Sequence, residues 1–119
     1  MGAKPRTTPG PTQLVFQLPE TFFAEFDDMI AFEDQLIGSM SRNALVDGYD
    51  VGSGTINFFV YTAFPVAAFR AFRKYMGTNA VERKLRVAHR PMRDHPVGEW
   101  TELWPKRPKR GQKPFDYWY

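Results

Sequence analysis

An α+β fold, two helices laid over one face of an antiparallel sheet, is predicted by three observations on this chain of 119 residues. Apolar residues alternate with period two in "TQLVFQLP" and in "TINFFVYT", as half-buried strands require. They recur at three- and four-residue steps in "ETFFAEFDDMIAFEDQLIGSM" and "AFPVAAFRAFRKYMG", as amphipathic helices require. The order of these periods is strand, helix, strand, strand, helix, strand, with one more strand appended. That is the ferredoxin-like split βαβ arrangement.

Each element has a local reason. Leu14, Phe16 and Leu18 line one side of the first strand, and Pro19 ends it. In the helix that follows, Phe22, Phe26, Met29, Ile30, Ile37 and Met40 form the apolar stripe, and Gly38 or the polar cluster from Ser39 to Asn43 stops it. A hairpin joins Ala44–Val51 to Thr55–Thr62 through "GSG", with Gly52 expected at the positive φ of a type II′ turn and a bulge or bend at Asp47-Gly48. Thr62 and Pro65 suit the start of the second helix and Gly77 its end. "AVERKLRVAHR" alternates with Val81, Leu85, Val87 and His89 on one side and Glu82, Lys84, Arg86 and Arg90 on the other, and so reads as one strand. "EWTELWP" is a last short strand. The expected core is Leu14, Phe16, Leu18, Phe22, Phe26, Met29, Ile30, Ile56, Phe58, Val60, Phe69, Phe72, Leu85 and Val87.

The chain divides into an arm over residues 1–11, one α+β domain over 12–105 and a basic, aromatic tail over 106–119. Lys4 and Arg6 give the arm +2, and the tail carries +4, so the domain holds −3 of the net charge of +3. The high pI therefore belongs to the ends. Within the domain, Pro19 to Ser41 contains Glu20, Glu25, Asp27, Asp28, Glu33 and Asp34 and no basic residue, whereas basic residues predominate from Arg70 to Arg93. There are no cysteines, which excludes disulfides, thiolate metal sites and a cysteine nucleophile and fits a cytoplasmic setting. "MGAKPRTTPGPTQ" lacks the apolar core of a signal peptide, and no apolar run is long enough to cross a membrane.

Nucleotide chemistry does not fit the glycines. A P-loop needs Lys and then Ser or Thr after its second Gly, and a dinucleotide fingerprint needs a third Gly opening a helix; "TINFFVYT" follows instead. No cofactor is expected. Two surfaces stand out as binding faces. Glu25, Asp27, Asp28 and Asp34 can present a charged helix face to a basic protein, set against the plainer reading of acids that favour the positive end of their own helix. On the sheet face turned away from the helices, Phe59 and Tyr61 are expected beside Lys84, Arg86 and Arg90, with Trp100 and Trp104 nearby. Aromatic and basic residues interleaved on a sheet suit stacking of single-stranded nucleic acid, although the RNA-recognition signature is absent. The competing expectation is that the tail, another helix or a second copy covers this face.

Single residues invite catalytic or metal roles less strongly. Glu33 falls in the middle of the expected apolar stripe, where pairing with Arg70 or Arg73 competes with a role as general acid beside His89. His89, Asp94, His95 and Glu99 follow no familiar metal-ligand spacing. "DGYDVGSGTINFFVYT", followed later by "WTELWP", resembles a group of small, mostly uncharacterised bacterial proteins, and similar acidic-faced domains include immunity proteins that neutralise toxins. The resemblance bears on the fold more than on the function; the uninterrupted acidic segment points to a non-enzymatic interaction protein, most concretely an immunity or inhibitor protein that binds a basic protein partner. The alternative is a nucleic-acid binder, and a homodimer through the open sheet face fits the same aromatics.

Overall fold

The computed structural model describes residues 12–40, 44–77, 80–92, 100–107, 110–113 and 115. It is an α+β protein with a five-stranded antiparallel sheet. The strands are β1 (Thr12–Pro19), β2 (Ala44–Gly52), β3 (Thr55–Thr62), β4 (Arg86–Pro91) and β5 (Thr101–Trp104). The helices are α1 (Phe26–Ser39), α2 (Pro65–Met76) and the short α3 (Ala80–Lys84), with a 3-10 turn at Glu20–Phe22. The sheet order is β2-β3-β1-β4-β5, and every neighbouring pair is antiparallel. Among the described residues, no helix is long and apolar enough to cross a membrane.

Central placement makes β1 buried on both faces from Gln13 to Leu18. Its register sets Phe16 opposite Phe58 of β3 on one side and Val87 of β4 on the other. These residues meet α1 and α2 in one apolar layer, where the rings of Phe16 and Phe72 lie 4.8 Å apart and those of Phe32 and Phe58 4.9 Å apart. Burying each such ring stabilises the fold by about 1.5–3 kcal/mol.

The stripe on α1 differs from the expected one. Met29, Phe32 and Leu36 are its buried residues, Ile30 is half-buried, and Phe26 is 63% exposed. The reason is where the helix starts. Residues 20–22 form a 3-10 turn, so the regular helix begins only at Phe26. Phe22 and Phe23 then stack edge to face, and Phe23 reaches Phe32 at 5.6 Å, filling the end of the core that Phe26 would have filled. Phe22 itself is half-buried. Gly38 lies inside the helix, which stops at Ser39 as Met40 turns extended.

The hairpin turns one residue later than the type II′ expectation. Gly52 pairs with Thr55 in the ladder, while Ser53 and Gly54 take φ of 54° and 84°, the two positive values of a type I′ turn. The register shift between Val46 and Tyr49, with Gly48 at φ 103°, is the expected bulge. At α2, Pro65 occupies the first turn and Gly77, at φ 70°, closes the end by donating its N–H to the Arg73 carbonyl at 2.8 Å. Thr62 does not cap this helix; its hydroxyl accepts the N–H of Phe64 just before it.

"AVERKLRVAHR" is not one strand. Ala80–Lys84 is helical, and β4 begins at Arg86. Val81 and Leu85 satisfy a helical i, i+4 step as well as an alternating one, and the Leu85 N–H donates to the Val81 carbonyl at 2.8 Å. Tertiary contacts decide between the two. Arg73 pairs with the Glu82 carboxylate at 2.9 Å, and the Trp104 indole N–H donates to the Glu82 carbonyl at 2.9 Å.

Candidate functional site

The outer surface of α1 carries the charge that the sequence assigns to it. Glu25 precedes the first turn, Asp27 and Asp28 occupy it, and Asp34 lies further along; all four are exposed. None has an ion-pair partner among the described residues, where the ion pairs include Arg73 with Glu82 and Arg86 with Glu102. Asp27 and Asp28 stand at the positive end of the helix, so part of their charge serves α1 itself. Asp34, in the second half, has no such role. Four exposed carboxylates on one short element produce a local negative potential that the net charge of the chain conceals.

The sheet face turned away from α1 and α2 brings together most, but not all, of the second set. Phe59 and Tyr61 of β3 and Arg86 and Arg90 of β4 share it, because each lies opposite an odd-numbered residue of β1. Lys84 does not: it ends α3, exposed and outside the sheet. Trp104 also departs from expectation. It points to the helix side, where its ring lies 6.0 Å from Phe69 and the Arg73 guanidinium sits 4.2 Å above it.

Part of this face is covered by Phe115 of the chain's own tail. Phe115 is buried against Val15 and Ala88, with Phe59 and Trp100 at the edge of the cluster. The Trp100 and Phe115 rings meet at 4.9 Å. Arg86 bonds the Glu102 carboxylate at 2.6 Å, donates to the Lys113 carbonyl at 2.8 Å and lies over Phe115, and the Phe115 N–H donates to the second Glu102 oxygen at 3.2 Å. Arg90 stacks on Trp100 at 4.2 Å and donates to Gln13, whose amide in turn donates to the Tyr61 hydroxyl. Gln17 donates to Asn57 at 2.9 Å beneath the same surface. Arginine and aromatic groups that would stack on bases are thus engaged with one another.

The remaining candidates do not form a cluster. Glu33 is half-buried on α1, and Arg73 pairs with Glu82 instead of with it. His89 lies on the helix side of β4, opposite Leu14, and burial lowers its pKa from the ordinary histidine value. Asp94, His95 and Glu99 lie outside the described residues. Among the described residues, no three potential metal ligands come together. The tail was among the covers expected for this face from the aromatics of "PFDYWY", but sequence reasoning did not single out Phe115 or its partner Glu102. No protein-family model, curated protein or solved structure matches the chain.

Proposed function

We propose that this is a small, non-enzymatic cytoplasmic interaction protein that binds a basic protein partner through α1, with an immunity or inhibitor role the most concrete form of that activity. The observation that carries the reading is the exposed set Glu25, Asp27, Asp28 and Asp34, none of them ion-paired among the described residues. Charges so placed steer a basic surface into contact and penalise acidic competitors. The element order β1-α1-β2-β3-α2-β4 supports a ferredoxin-like plan, extended by β5 at the β4 edge and by α3. On such a plan α1 is carried by a rigid sheet, which holds its outer face in a fixed orientation.

The test is affinity capture of the partner from the native cells, with nuclease treatment, using the parent protein and the Asp27→Lys, Asp34→Lys variant. A near-stoichiometric protein that survives nuclease and is lost with the variant supports the reading. Equal capture by both proteins refutes it. The second reading, a single-stranded nucleic-acid binder, draws on Phe59, Tyr61, Arg86 and Arg90 sharing one face. It requires Phe115 to leave that face, as would a homodimer through it. Nucleic acid captured by the chain, in greater amount after Phe115→Ala, is the outcome that would select this second reading.

A further inference from the structure

Between the start of α1 and the edge strand β2 lies an open concavity of about 290 Å³. Phe23, Met29, Tyr49 and Ile56 line it, with Phe26 and Val51 also at its surface and Glu20 and Glu25 beside them. Phe26 is 63% exposed and Val51 44% exposed, so two large apolar side chains face solvent at one groove. The groove is built into the fold: the Glu20 N–H donates to the Gly54 carbonyl at 2.9 Å, tying the 3-10 turn before α1 to the hairpin tip.

Its surroundings select the occupant. Among the described residues β2 is the outermost strand, paired with β3 alone, and an apolar slot beside a strand edge suits an extended peptide whose side chains alternate into the slot. Glu20 and Glu25 flank the slot, Asp27 and Asp28 follow on the first turn of α1, and Pro19 to Ser41 contains no basic residue. An acidic segment would be repelled there. A segment that offered charge alone would leave Phe26 and Val51 exposed.

We propose that the groove binds an extended polypeptide segment carrying one bulky apolar side chain flanked by Lys or Arg. The apolar side chain fills the space between Phe26 and Val51, and the basic neighbours meet Glu20, Glu25, Asp27 and Asp28. This rests on the docking reading above and adds the place of its anchor. Buried anchors of this kind carry most of the affinity of an interface, whereas the charges set rate and specificity.

The experiment selects a displayed library of random peptides on the full-length protein and titrates the enriched peptides against the parent, Phe26→Ser, Val51→Ser and the Asp27→Asn, Asp34→Asn variant. Both groove side chains are exposed, and thermal melts confirm that their variants fold like the parent. The expected result is enrichment of peptides with an apolar residue next to Lys or Arg, whose affinity falls about tenfold or more in Phe26→Ser and Val51→Ser. Basic peptides weakened by the Asp27, Asp34 variant but not by the groove variants overturn the groove and leave the docking face standing. Enriched peptides without basic residues, or no enrichment at all, overturn the proposal.

Discussion

Removing the Phe115 ring would uncover Val15 and Ala88 on the two central strands of the open face and half-bare Phe59 and Trp100. The Phe115→Ala protein is therefore expected to lose about 1.5–3 kcal/mol of stability, seen as a lower denaturant midpoint, and to bind an apolar dye that the parent does not. Glu102 holds the same segment from another side, with one oxygen on Arg86 and the other accepting the Phe115 N–H. Because the two residues share a contact, a double-mutant cycle of Phe115→Ala and Glu102→Ala should return a coupling of about 0.5–2 kcal/mol. Strict additivity would show that the ring and the Glu102 contacts hold the tail independently of each other. A smaller effect belongs to the hairpin. Ser53 holds φ at 54°, a left-handed value that asparagine tolerates better, and Ser53→Asn should raise stability by about 0.5 kcal/mol in the same denaturation measurement. Position 53 shows the limit of sequence reading at this scale: "GSG" announces a tight turn, but only the ladder pairing of Gly52 with Thr55 fixes which two residues make it.

On α1, helix stability and partner binding can be separated at Asp34. The residue is exposed, lies in the second half of the helix, and the last turn contains no basic side chain to balance the negative end of the helix dipole. Asp34→Lys should therefore raise stability by a few tenths of a kcal/mol, roughly 0.3, while weakening binding of the basic partner. A loss of both would mean that Asp34 supports the fold through a contact and not the docking face. The elements themselves were legible wherever one period dominated: β1, the hairpin and α2 stand where alternation and the three- to four-residue step place them. Legibility failed where two periods fitted equally, as at Val81 and Leu85, and where the first turn of a helix was replaced, which moved the stripe on α1 to Met29, Phe32 and Leu36. Residues 80–84 take their conformation from Arg73 and Trp104, which lie outside that stretch of sequence. That something covers the open sheet face was legible in its aromatics, and the tail was among the covers expected; which tail residue seats there was not, since Phe115 and Val15 are separated by most of the chain. Of the candidate residues, the α1 carboxylates kept their assigned exposure because nothing packs on a charged helix face, whereas Lys84 was lost with the misread strand.

Across the whole molecule, charge is divided within the helix layer. α1 presents its carboxylates, and its neighbour α2 with α3 presents Arg70, Lys74, Arg83 and Lys84, all exposed. Beneath this layer His89 sits on the helix side of β4, opposite Leu14 and Thr101, and burial holds its pKa below the ordinary 6.5. A histidine lowered in this way favours its neutral form in the folded protein, whereas the unfolded chain protonates at the ordinary value. Between the two values the unfolded state binds more protons, so unfolding is favoured as acid is added. The contribution of His89 to stability is then fully present above pH 6.5 and falls as the pH drops through 6.5 towards its lowered folded value. Denaturation midpoints measured at steps between about pH 7.5 and pH 5 should decline in the parent, and the decline should be shallower in His89→Gln, whose side chain does not titrate. Identical slopes in the two proteins would assign the acid sensitivity to other groups, and the half-buried imidazole would then have no part in how the fold responds to pH.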